Sequence, residues 1–374
     1  EISLGLVGSE MCIRDRYRVG IVGATGMVGQ RFISLLKDHP WFEVNCVAAS
    51  ARSAGKTYRE AVGERWAFAW EIPEKVAGMT LVDAADIDEV SKHVDFVFCA
   101  VDMKKDEIRA LEEAYAKHEI PVVSNNSACR GIEDVPMVVP EINADHLAVI
   151  EAQKKRLGMK NGFIAVKPNC SIQSYVPALT PLLDFEPEKV SVCTYQAISG
   201  AGKTFKTWPE MVDNVIPYIG GEDEKSENEP LKLWGHVEDG KIVNAALPVI
   251  SAQCLRVACS DGHMAAVSVS FKKKPTIEQI KERWANYETE AQRLELPSAP
   301  KPFLQYFEDP SRPQTRLDRD FQNGFGVSIG RLREDKLFDY RFVCLSHNTV
   351  RGAAGGGILT AELLCRKGYI PHRV

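Results

Sequence analysis

A strand, a glycine-rich turn and a helix follow one another near the start of the chain, and this unit constrains the fold more than any other feature. Residues 18–22 form a short apolar run, Gly23-Ala-Thr-Gly-Met-Val-Gly29 follows, and residues 30–37 place Phe32, Ile33, Leu35 and Leu36 at helical spacing. Residues 42–49 then read as a second strand. Residues 95–101 form a third apolar run, 104–117 predict a helix, and 120–124 another strand. Strands that alternate with helices in this way build a parallel sheet covered on both faces.

A glycine turn between strand and helix is also a phosphate cradle, because the backbone approaches the anion closely and the helix N-terminus faces it. Gly23, Thr25, Gly26, Met27 and Val28 are the residues expected to meet a dinucleotide there. The end of the second strand selects between cofactors. A site for NAD places a carboxylate there, whereas this chain offers Ser50, Arg52, Ser53 and Lys56, which suit a 2′-phosphate, so NADP is expected. The stretch Gly200-Ala-Gly-Lys-Thr204 is not a nucleotide-triphosphate loop, because that motif needs glycine where Ala197 stands.

A chain of 374 residues exceeds one small core, and two domains are expected. A formal net charge of -5 gives no reason to expect nucleic-acid or anionic-membrane partners, and no apolar run is long enough for a transmembrane helix. Ten cysteines without paired or metal-type spacing fit reduced thiols and no metal centre. Cys254 and Cys259 are expected along one strand. Residues 1–16 lack periodicity and read as a non-native or disordered leader.

Cys170 is the principal chemical candidate. It stands in Lys167-Pro-Asn-Cys-Ser171, where an apolar run stops. At the start of a helix, a cysteine lies in a positive field that favours the nucleophilic thiolate. Pro177 is expected to kink that helix. Beyond it the pattern changes to longer alternating strands at 190–195, 254–259 and 264–271. A polar helix over 276–294 and a Pro-rich surface connection over 296–302 follow. Asp261-Gly262 is a turn signal that would start a strand at His263, whose imidazole suits proton transfer. Arg256 offers a fork for a carboxylate.

The glycine turn, Pro168-Asn-Cys-Ser171, Tyr195-Gln-Ala-Ile-Ser-Gly200, the stretch from Arg256 to His263, and Asn348-Thr-Val-Arg-Gly-Ala-Ala-Gly355 occur in one order. Together they resemble aspartate-β-semialdehyde dehydrogenase, in the branch found in archaea and fungi. The resemblance implies that Cys170 attacks the acyl carbon, His263 is general acid and base, and Gln196 orients the thioacyl intermediate with Asn169 beside the nucleophile. It further implies that Arg256 binds the substrate carboxylate, Glu222 its amino group, and Arg130 and Lys225 the phosphate. Ser199, Gly200 and Asn348 would lie against the cofactor. Read from the residues alone, Gly221-Glu-Asp-Glu-Lys225 is a solvated loop.

The expected fold is α/β: a Rossmann-like doubly wound parallel sheet, plus an α+β catalytic and dimerisation domain with a mixed, largely antiparallel sheet. The NADP-binding domain is expected to span 17–168 and 348–374, and the catalytic domain 169–347. The resemblance implies NADPH-dependent reductive dephosphorylation of L-aspartyl-4-phosphate by a homodimer or homotetramer in the cytoplasm, or in an organelle of a eukaryote. Malonyl-CoA reductase and a catalytically silent NADP-binding sensor are the alternative readings.

Overall fold

The computed structural model describes residues 16–372. The leader expected over residues 1–16 therefore lies outside the described residues, apart from Arg16. Six strands form the first sheet: β1 (Tyr17–Val22), β2 (Phe42–Ala49), β3 (Val82–Asp83), β4 (Phe96–Cys99), β5 (Val122–Ser124) and β6 (Ile164–Val166). Their order is β3-β2-β1-β4-β5-β6, and every pairing is parallel. Chain order reverses between β1 and β4, which opens a crevice beyond their carboxyl ends.

The glycine turn stands in that crevice. Gly23 has φ +89°, and a Cβ there would lie 2.4 Å from the carbonyl oxygen of Ala100, so only glycine lets β1 end against β4. The helix α1 (Met27–Leu36) follows, and α2 (Lys105–Lys117) connects β4 to β5. Phe32 of α1 stacks on Phe98 of β4 with ring centroids 4.4 Å apart. Each such buried ring stabilises the fold by about 1.5–3 kcal/mol.

The second sheet begins with β7 (Pro187–Gln196) and the short β8 (Val215–Ile216). The helix α3 (Glu222–Leu233) and a hairpin of β9 (His236–Glu238) and β10 (Lys241–Val243) come next. Then follow β11 (Val249–Val257), β12 (His263–Phe271), β13 (Leu304–Phe307), β14 (Val327–Glu334) and β15 (Tyr340–Ser346). The order is β13-β14-β15-β12-β7-β11-β8; β7 with β11 and β13 with β14 are parallel, and the remaining pairs antiparallel. The expected fold class is therefore present in both sheets.

A continuous apolar core crosses from sheet to sheet. Val22, Val97 and Ile164 belong to the same cluster as Ile172, Tyr175 and Leu179, which follow Cys170, and as Val190, Val267 and Phe342 of the second sheet. The candidate nucleophile thus lies at the seam. On the other face of the first sheet, Phe32, Ile33, Phe96 and Phe98 are closed over by Ile358, Leu359, Leu363 and Leu364 of the last helix.

Four local expectations need correction. The polar helix over 276–294 is two helices, α4 (Ile277–Ala285) and α5 (Glu290–Arg293), because Thr276 and Thr289 each build a capping box with the glutamine three residues on. Between them Tyr287 turns inward and its hydroxyl donates to Glu141 O at 2.8 Å. The connection over 296–302 is anchored rather than superficial. Leu296 is 3% exposed, and Ser298 donates from its N–H and Oγ to Glu362 of the last helix, α6 (Gly355–Arg366). Cys259 lies past the end of β11, not along a strand with Cys254. After Cys170 the chain forms a single 3-10 turn, Ser171–Gln173, before the short helix Val176–Leu179. Pro177 stands in the first turn of that helix, where proline is well tolerated, and kinks nothing.

Candidate active site

Cys170 lines a cavity of about 240 Å³ between the sheets, together with Asn169, Arg130, Lys167, Ser199, Gly200, Glu222, Lys225, Asn348 and Val28. Its sulfur lies 3.5 Å from Nε2 of His263. The turn at Gly262, with φ +98°, starts β12 at His263 and sends the imidazole into the seam, fully buried. Nδ1 of that ring accepts the backbone N–H of Ala197 at 3.1 Å. In the neutral ring Nδ1 is thus the acceptor, and the proton sits on Nε2, facing the thiol.

Burial pushes the Cys170 thiol above its ordinary value and Glu222 adds to this, while Lys167, Arg130 and Arg256 oppose it. This corrects the expectation of a helix field that favours the thiolate. A one-turn 3-10 helix carries little dipole, and desolvation outweighs it. Burial, then Arg256, hold His263 well below its ordinary range. The free protein near neutral pH therefore carries an uncharged imidazole beside the sulfur.

Asn169 organises the anionic side. Its Oδ1 accepts the N–H and the hydroxyl of Ser171, both at 2.7 Å. Its Nδ2 donates to both carboxylate oxygens of Glu222, at 3.0 and 3.1 Å. Glu222 also receives Lys225 Nζ at 2.8 Å and Gln196 Nε2 at 3.3 Å. The acidic stretch read as a solvated loop is the first turn of α3, with Glu222 buried. Arg256 donates to Ala197 O at 2.7 Å. Arg130 pairs with Glu229 at 2.9 Å, and its Nε is buried without a hydrogen-bond partner. An orphaned guanidinium donor beside the cavity is the kind of group an anion satisfies.

Asn348 joins the two halves. It accepts from Gly262 N at 2.7 Å and donates to Ser199 Oγ at 2.8 Å. A second cavity, of about 510 Å³, is lined by Gly23, Thr25, Gly26, Ser50 and Arg52, with Asp83 and Met103. Arg52 is exposed and makes no side-chain hydrogen bond or ion pair among the described residues. Met27 and Ser53 line neither cavity.

Two residues around the thiol escaped the sequence reading. Glu229 accepts the N–H of Asn169 at 2.5 Å. It follows Glu222 by seven, and with Lys225 and Ser226 this is the spacing of one helix face, a signal the acidic run obscured. Lys167 is a lysine at the end of an apolar strand, and that position was itself the signal.

The two halves define an oxidoreductase of the semialdehyde dehydrogenase class. Residues 18–150 match the semialdehyde dehydrogenase NAD binding domain, and 179–351 the semialdehyde dehydrogenase dimerisation domain. The chain is 44% identical to an aspartate-semialdehyde dehydrogenase of Aspergillus fumigatus over 96% of its length and all of that protein. It is 43% identical to one of Archaeoglobus fulgidus over 95% of its length, again with all of the relative covered. The crystal structure of the Candida albicans enzyme with NADP superimposes with a TM-score of 0.85 at 38% identity, covering 95% of this chain and 100% of that one. The chain belongs to the aspartate-semialdehyde dehydrogenase family.

Proposed function

We propose that this protein reduces L-aspartyl-4-phosphate to L-aspartate 4-semialdehyde with NADPH, releasing phosphate, in the synthesis of the aspartate-derived amino acids. The observation that carries the reading is the 3.5 Å approach of Cys170 and His263 in a cavity that also holds Glu222 with Lys225 and the partly unsatisfied Arg130. The Candida albicans relative, solved with NADP, supports the choice of cofactor. The crevice fits it: Gly23 leaves room for a phosphate, no carboxylate closes β2, and Ser50 and the unpaired Arg52 suit a 2′-phosphate. When bound, the cofactor supplies a hydride.

The rest of the chemistry belongs to the chain. Arg256 would hold the substrate carboxylate and Glu222 its ammonium, which brings the acyl carbon to Cys170. Attack by sulfur forms the thioester, the acyl–phosphate bond breaks, and the thiol proton ends on the phosphate held by Arg130 and Lys225. The thioester divides one hard displacement into two easier ones. Gln196 would orient the thioacyl group. The substrate brings negative charge into the cavity, which favours a protonated His263. That ring would give a proton to the thiohemiacetal oxygen and take it back as the aldehyde forms.

Val249, Val215 and Tyr218 are exposed on or beside the β11–β8 edge. With a matched dimerisation domain, this apolar edge supports a homodimer built on the second sheet. No helix among the described residues is long and apolar enough to cross a membrane. Nine free cysteines among those residues favour a reducing, cytoplasmic setting.

The test is NADP reduction with aspartate semialdehyde and phosphate, each omitted in turn, with a malonyl-CoA arm run in the reductive direction. Strict dependence on phosphate supports the proposal. Reduction of malonyl-CoA in preference, or cofactor binding without turnover, would replace it.

A further inference from the structure

Lys167 directly follows β6 and is 2% exposed, among the most deeply buried large side chains of the described residues. Its ammonium donates to two backbone carbonyls, Pro168 O and Gly352 O. Those two carbonyls belong to the wall behind the nucleophile. Pro168 lies two residues before Cys170, and Gly352 is pressed directly onto it. A Cβ at Gly352 would lie 2.8 Å from Cys170 Cβ and 3.2 Å from Cys170 Cα. The ammonium therefore ties the strand end that carries the thiol to the turn Val350–Ala354 that backs it. It lines the same cavity as the sulfur.

Burying an ammonium is costly unless the site uses or pairs the charge. Among the described residues no carboxylate pairs with Nζ, and carbonyl oxygens are its hydrogen-bond partners. The anion that most needs a cation at this spot is the thiolate.

We propose that Lys167 is a positioning residue that acts from behind the nucleophile, where its fixed ammonium favours the Cys170 thiolate and holds Gly352 against it. This rests on Cys170 being the nucleophile, but not on which acyl compound is the substrate. Other groups act on the pair from every side. Glu222 disfavours the thiolate, while Arg130 and Arg256 favour it, and Lys167 is the largest of the three cationic influences. His263 donates from Nε2 at 3.5 Å. Burial and Arg130 pull the ammonium itself down to about 7, whereas Cys170 and Glu229 raise it and Arg351 lowers it. Sulfur and nitrogen thus each stabilise the other's charged form against the cost of burial.

The experiment reads the thiol directly. Alkylation of the cofactor-free, full-length protein by iodoacetamide is followed from about pH 6 to about pH 11, with modification at Cys170 quantified by peptide mass. Lys167→Met keeps the length of the side chain and removes the charge. It should move the alkylation midpoint up by about one pH unit, about tenfold less thiolate at neutral pH. Lys167→Arg keeps a cation and should hold the midpoint near that of the unmodified protein. If the Met variant does not fold, Lys167→Gln, which retains a donor for the carbonyls, is read in its place with the same expected rise.

Superimposable profiles for the charged and uncharged variants would overturn the proposal. An equal rise in Lys167→Arg would overturn it too, by assigning the effect to packing. A different failure is also visible: if iodoacetamide leaves Cys170 unmodified in the unaltered protein, the role of the cysteine falls and that of the lysine falls with it.

Discussion

The backbone N–H of Ala197 donates to Nδ1 of His263, and this one hydrogen bond decides what the ring can offer the sulfur 3.5 Å from its other nitrogen. It leaves the free protein with a neutral Nε2–H donor directed at Cys170. Protonation of the ring would set two N–H groups against each other, in line with the depressed basicity of this histidine.

Replacement of His263 by asparagine should therefore lower kcat by about 10²–10⁴-fold while changing the KM for aspartate semialdehyde little. Steady-state rates of phosphate-dependent NADP reduction decide this. A variant within threefold of the parent would remove His263 from the chemistry (about 0.7 kcal/mol in barrier).

Glu222 should have two separable effects. It disfavours the thiolate and is proposed to bind the substrate's ammonium. Glu222→Gln is expected to bring the alkylation midpoint of Cys170 down, yet to raise the KM for aspartate semialdehyde by about tenfold or more, the loss of a charged hydrogen bond. A fall in both quantities would separate Glu222 from substrate binding.

Arg52 should carry cofactor choice alone. Arg52→Ala is expected to raise the KM for NADP about tenfold and leave any rate with NAD unchanged, since the guanidinium has no partner to lose among the described residues. Equal losses with both cofactors would point to a folding role.

Leu296 tests the anchored connection. Its side chain is 3% exposed in the cluster closed by α6. Leu296→Ala should cost about 2–5 kcal/mol of stability, measured by chemical denaturation, although the residue lies in a Pro-rich stretch that reads as surface.

The pH dependence of stability has a definite sign. Burial lowers His146, His263 and His347, the last to about 4. Above their ordinary value near 6.5 all three are neutral in folded and unfolded chains alike. As pH falls below it, the unfolded chain binds protons that the folded one refuses, so stability drops by about 1.4 kcal/mol per pH unit for each histidine. Glu112, whose carboxyl burial raises, offsets part of this loss. The melting temperature should fall between about pH 6.5 and about pH 5; a flat profile would mean that these rings are solvated.

Much of this was legible in the chain because the signals were local. The turn at Gly23 and the strand at 42–49 need only neighbours to be read, and β2 has the expected bounds. His263 opens its strand because Asp261-Gly262 forces a turn. What escaped depends on partners far away in sequence. Glu222 and Lys225 read as solvated because nothing nearby reveals that Asn169 and Gln196 will cover the carboxylate. Leu296 read as exposed because α6, which receives it, lies some sixty residues on. The acidity of Cys170 was misjudged because the helix assumed to start there is broken after one 3-10 turn.

The position of α6 has a consequence for biogenesis. The helix that seals one face of the nucleotide-binding sheet is made only after the whole second sheet. While the ribosome translates everything after β6, at about 5–20 residues per second, the rings of Phe32, Phe96 and Phe98 lack their cover. The nascent protein therefore carries an uncovered apolar face for tens of seconds, until that helix emerges.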